Sequence, residues 1–146
     1  MRQEDKDLLL KDLCARLPYG VKGLVTFNGN PSMPQIQEDR TIDGKLYDRF
    51  AKFQDSWYDN VTIKPYLFPL SSMTDELWDK EFMGCGITEF TRDSFKYGCE
   101  TLDFSRSNPN LSSMVRFINQ LIKNHFDIYG LIPMGLANDA TGLNIY

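Results

Sequence analysis

One histidine, His125, and three cysteines, Cys14, Cys85 and Cys99, are the side chains of this 146-residue sequence best suited to nucleophilic or metal chemistry. A catalytic triad would have to be built around His125, with Cys85, Cys99 or a serine as nucleophile. The sequence has no Gly-x-Ser-x-Gly elbow to present such a serine. His125 directly follows an amphipathic run, where an imidazole commonly meets the last carbonyls of a helix, so a helix-end or packing role is expected of it. Structural zinc takes four ligands, usually in close pairs such as Cys-x-x-Cys, and these four residues are scattered singly along the chain. Calcium loops and phosphate-cradling glycine loops have no counterpart either. No metal site, no cofactor and no catalytic residue is therefore assigned. Cys85 sits between Gly84 and Gly86 on what reads as a turn, yet Asp79, Glu81 and Glu89 oppose the positive surroundings that would activate its thiol. The carboxylate pairs Glu38-Asp39 and Asp75-Glu76 read as capping or solvated groups, because acid–base work depends on a spatial separation that sequence does not carry.

The richer signal is aromatic. Trp57, Tyr58, Tyr66 and Phe68 lie close together, and rings with polar tips are enriched at protein interfaces. Pro65 and Pro69 hold Tyr66 and Phe68 in extended backbone. In a strand these two rings share one face while Leu67 takes the other. The four rings are the candidate binding residues; the competing reading is that they complete the core.

The elements that would position these groups follow from period and punctuation. Residues 3–17 read as a helix. Leu10, Leu13, Cys14 and Leu17 form its apolar stripe, so Cys14 is expected in the core; Glu4, Asp5 and Asp7 lie in the first turn, and Pro18 is the stop. Residues 20–28 read as a strand ended by Asn28-Gly29-Asn30. In 45–58, Leu46, Phe50, Phe53 and Trp57 make a helical stripe, which is favoured, although the flanking Asp43-Gly44 and the aromatic content also suit a strand. Val61 to Leu67 reads as an edge or terminal strand because of Pro65. Thr74 is the expected N-cap of a helix over 74–83, ended by Gly84 and Gly86. Residues 87–104 show no clean period, and one or two short strands are expected there. Met114, Phe117, Ile118, Leu121 and Ile122 mark an amphipathic helix over 111–124. The glycine-punctuated tail from Phe126 reads as a short docked helix and then a mobile end.

Length, composition and charge exclude more than they assign. The chain matches one ordinary domain, and 42% hydrophobic residues with 13% aromatics argue for an ordered core. The net charge is −4, and residues 71–146 carry the surplus, with ten acidic and six basic groups. No basic cluster suggests phosphate neutralisation, so nucleic acid is an unlikely partner on charge grounds. No window offers the ~20 apolar residues of a membrane span, and the charged start from Arg2 to Asp7 is unlike a signal peptide. Three widely spaced cysteines fit reduced thiols in a cytoplasm.

Three segments carry a resemblance: 8–21 (LLLKDLCARLPYGV), 63–74 (IKPYLFPLSSMT) and 124–132 (NHFDIYGLI), followed by Gly135-Leu136-Ala137. Covering roughly a third of the chain, they resemble a family of uncharacterised small proteins of gut anaerobic bacteria, often found among phage and mobile-element genes. The resemblance implies a soluble cytoplasmic protein, and it implies short strands before the Lys64-Pro65-Tyr66-Leu67 motif, against the helix favoured over 45–58. It brings no activity and no residue role.

The expectation is one α+β domain over residues 1–146, with helices near 3–17, 74–83 and 111–124 around a small, mostly antiparallel sheet from the 20–70 region. Its expected role is that of a small accessory or regulatory module that binds another protein. An enzyme using carboxylates or Cys85, or a nucleic-acid-binding accessory protein, is the alternative.

Overall fold

A computed structural model describes residues 1–28, 34–52, 61–83, 91–101 and 110–146. The chain is α+β: among the described residues it has five α-helices and a four-stranded, mostly antiparallel sheet. Two compact units divide it, Met1–Leu67 with Tyr129–Tyr146, and Phe68–Ile128.

In the first unit, helix α1 spans Gln3–Arg16, with Glu4 and Asp5 in the first turn, where the helix dipole favours negative charge. A 3-10 turn at Leu17–Tyr19 takes Pro18, and Gly20 at φ 68° turns the chain into the sheet. Strand β1 (Lys22–Phe27) pairs antiparallel with both β2 (Ile36–Thr41) and β3 (Val61–Leu67). Gly23 is required at the β1–β3 crossing, because a Cβ there would lie 2.9 Å from the Lys64 carbonyl oxygen. Helix α2 (Gly44–Lys52) settles the ambiguous stretch as helix as far as Lys52. Asp43 starts it, its carboxylate accepting from the Leu46 N–H at 2.8 Å. Leu46 and Phe50 fill one side; the 53–58 part of the expected stripe lies outside the described residues.

The sheet order is β2-β1-β3-β4, so the sequence reading of β3 as an edge needs correction. A two-residue strand β4 (Asn138–Asp139), drawn from the tail, pairs in parallel with Tyr66 and Leu67. That pairing begins just past Pro65, so the missing proline N–H is not asked to serve it. The expected tail helix is replaced by turns. Leu136 and Ala137 both donate to the Leu131 carbonyl, and Gly130 and Gly135 adopt φ 72° and 75°. The end of the chain is tied down: the Tyr146 hydroxyl accepts from the Lys22 N–H at 3.0 Å and donates to the Tyr66 carbonyl at 2.8 Å.

In the second unit, helix α3 (Asp75–Leu77) runs directly into a π turn, Trp78–Phe82. Thr74 is its N-cap as expected, accepting from the Leu77 N–H at 3.1 Å. Helix α4 (Arg92–Thr101) occupies much of the stretch expected to form strands. Thr91 caps it, accepting from the Ser94 N–H, and Phe95 and Cys99 give it a short apolar side that Gly98 interrupts in the sequence pattern. Helix α5 (Leu111–Lys123) has Asn110 as N-cap.

Each unit has its own hydrophobic cluster. In the first, Leu9, Leu13, Val25, Leu46, Phe50 and Ile63 bury one sheet face under α1 and α2, joined by Leu131 and Leu136 of the tail. In the second, Trp78, Phe82, Phe95, Phe117 and Phe126 pack with Leu121.

Candidate functional site

The four rings singled out from sequence do not form one described cluster. Tyr66 is buried at 9% exposure in the first unit, and its hydroxyl donates to an Asp39 carboxylate oxygen at 2.7 Å. That bond, then burial, pushes the Tyr66 hydroxyl up to about 12 from its ordinary 10. Phe68 begins the second unit, half-buried, its ring 6.1 Å from that of Phe126. Leu67 is the last residue of β3, and Phe68 continues in an isolated parallel bridge with Phe126. Trp57 and Tyr58 lie outside the described residues.

His125 takes the helix-end place expected of it, through its backbone. It stands at φ 62° just past α5, donates its N–H to Ile122, and is followed by Phe126 donating to Leu121. These two bonds make a Schellman motif with a histidine where glycine is usual. Asn124, through its side-chain amide, is the residue that meets a helix carbonyl, that of Gln120, at 2.9 Å.

Cys14 is exposed, a correction to its expected place in the core. The buried face of α1 is Leu9, Asp12, Leu13 and Arg16, one position away from the stripe read in the sequence. Two charged residues can occupy that face because they neutralise each other: Arg16 Nε and Nη2 donate to the two Asp12 oxygens, each at 2.8 Å, with both side chains buried. The i, i+4 spacing of Asp12 and Arg16 was the available signal, and it reads by default as a surface pair. Cys85 is outside the described residues, while Cys99 borders a cavity of about 300 Å³ with Leu70, Met73, Phe95 and Lys96. Of the carboxylate pairs, Asp75 sits 3.3 Å from Lys96 and 3.6 Å from Arg92, joining α3 to α4. Among the described residues no group of three or more His, Cys, Asp or Glu could hold a metal ion, and no helix is long and apolar enough to cross a membrane.

Two surfaces remain that side-chain chemistry singles out. The first is on α5. Its core side is Ser113, Phe117, Leu121 and Ile122. Leu111, Met114, Val115 and Ile118, spaced i, i+3, i+4, i+7, are 78%, 42%, 49% and 38% exposed. The apolar arc of α5 is thus wider than its core uses. Sequence reading places Met114 and Ile118 on the apolar stripe of the helix, and periodicity does not say how much of an arc a partner element covers. The second is the sheet face of the first unit opposite α1 and α2, where Leu24, Thr26, Thr62 and Lys64 border a cavity of about 520 Å³.

No protein-family model, curated protein or solved structure matches the chain.

Proposed function

We propose that this protein is a small cytoplasmic accessory or regulatory module that binds another protein, in keeping with its resemblance to phage and mobile-element proteins, and that α5 is its docking helix. The supporting observation is the exposed stripe of Leu111, Met114, Val115 and Ile118. Contiguous apolar surface on a soluble domain marks interaction sites more often than isolated exposed side chains do. Four side chains at helical spacing suit a partner that lays an amphipathic helix along α5. A second copy of the chain is the poorer occupant. Both charges of α5, Arg116 and Lys123, are basic and would repel across two facing copies.

The test is affinity capture with mass spectrometry, comparing the native chain with Val115→Glu/Ile118→Glu. Both positions are exposed, so the variant should melt within a few degrees of the native protein. Loss of a captured protein that the native chain retains is the expected outcome. Identical capture by both chains, or a shift from dimer to monomer in ultracentrifugation with no partner lost, would overturn the reading.

A further inference from the structure

We propose that the open face of the sheet in the first unit is a binding site for a small polyhydroxylated organic anion, a sugar acid or sugar phosphate. The register builds it. Thr26 stands opposite Gln37 on one side and Thr62 on the other, and Leu24 stands opposite Lys64. Alternation along each strand turns these side chains to the face away from the first unit's core, where Val25 and Ile63 point. Asn138 of β4 and Leu136 lie along one border, and the open-sided cavity holds about 520 Å³. Small-molecule sites run from about 300 to 1,000 Å³, so a single sugar ring is of fitting size.

The lining chemistry selects the ligand. Thr62 offers a hydroxyl and Asn138 an amide, each able to donate and accept; the buried Thr26 hydroxyl accepts from the Gln37 amide at 3.3 Å, which leaves the Thr26 O–H to donate and the Gln37 carbonyl to accept. That is the complement of neighbouring sugar hydroxyls, which also do both. Leu24 supplies apolar surface for the ring carbons. Lys64 is the side-chain cation of the lining, and no Asp or Glu joins it, although the whole chain carries −4. Of the two acids of β2, only Glu38 is directed elsewhere; Asp39 shares the face of Lys64 but is engaged by the Tyr66 hydroxyl. Glu38 falls on the opposite face by strand parity and pairs with Arg40 at 2.9 Å. Asp39 accepts the Tyr66 hydroxyl and opposes Leu24 from the other side, two strand spacings from Lys64, or about 10 Å. Lys64 has no ion-pair partner among the described residues and is exposed, so its ammonium is available to an oxyanion.

The experiment is calorimetric titration of the full chain, with amide NMR, against glucuronate, glucose 6-phosphate, glucose and inorganic phosphate. Saturable binding of glucuronate or glucose 6-phosphate, moving the amide signals of Thr26, Thr62 and Lys64, is expected; the tighter of the two identifies the oxyanion. Lys64→Met should weaken that binding about 10-fold or more, and Lys64→Arg should largely keep it. Thr62→Val should weaken it about 3- to 10-fold. Both residues are exposed, so melting temperatures should hold. No saturation by either anion at about 10 mM, far weaker than useful recognition, would overturn the proposal. So would affinity unchanged by Lys64→Met, or glucose or inorganic phosphate binding as tightly as the sugar anions.

Discussion

The two units solve the burial problem with different materials. The cluster of the first unit is aliphatic apart from Phe50, and it is assembled by strands and helices distant in sequence. That of the second is aromatic apart from Leu121, and helical segments assemble it. Trp78 lies within 6.3 Å of Phe82, Phe95 and Phe117, centroid to centroid, stacked on the first and tilted to the others. Few large rings let short elements such as α3 and its π turn bury enough surface to hold together. The same economy leaves half of the apolar arc of α5 uncovered. The first unit shows the opposite arrangement: its helices are saturated to the point that α1 buries an ion pair, and its open surface is polar.

The largest effect should come from Trp78→Ala, which removes the ring at the centre of the aromatic cluster and should cost about 3–5 kcal/mol by denaturant unfolding. A loss below about 1 kcal/mol would mean that the cluster is not what holds α3, α4 and α5 together. Next comes the ion pair of the first unit. Arg16→Met leaves the Asp12 carboxylate buried without its counter-charge and should cost about 3 kcal/mol or more, whereas Asp12→Leu/Arg16→Met should lie within about 1–2 kcal/mol of the native chain. A double variant as unstable as the single one would show that the pair is needed for more than mutual neutralisation.

Two tyrosines give the first unit a pH signature. Burial pushes the Tyr146 hydroxyl up to about 12, against the lowering influence of the Lys22 N–H and the Arg16 charge. Tyr66 is also raised to about 12. In both cases the fold holds the proton more tightly than the unfolded chain does. Their contribution is therefore complete below the ordinary value of 10 and is lost as pH rises through 12. Absorbance titration should show the Tyr66 and Tyr146 hydroxyls ionising late, beside Tyr47, which burial also raises, and Tyr66→Phe and Tyr146→Phe should each remove one late step. Tyr66→Phe should cost about 1 kcal/mol at neutral pH. The smallest effect isolates one backbone angle: His125→Gly should be more stable than His125→Ala by about 1 kcal/mol, because both lose the imidazole and only alanine bears the left-handed φ. Equal stability would mean that the turn relaxes.

Elements with strong periods and clear caps were readable in the residues themselves. Asn110 with the α5 stripe, Thr74 with α3, and Pro18 after α1 locate helices that the structure has within a residue or two. Helix α4 was not readable, since Gly98 and a single large buried ring, Phe95, leave no stripe. β4 was not readable because two residues joined to β3 carry no pattern. The candidate surfaces were legible as residue types only. Which side of α5 stays uncovered, and which sheet face stays open, depends on register and on packing between elements, which spacing along one element does not encode.

The central claim is that α5 presents its spare apolar arc to a protein partner. Hydroxyl-radical footprinting of the chain, purified and again in extract of the cells that express it, tests this most directly. Leu111, Met114, Val115 and Ile118 should be protected in extract, while Tyr19 and Leu143, exposed in the first unit, should be labelled equally in both. Equal labelling of the four α5 residues in both settings would contradict the account.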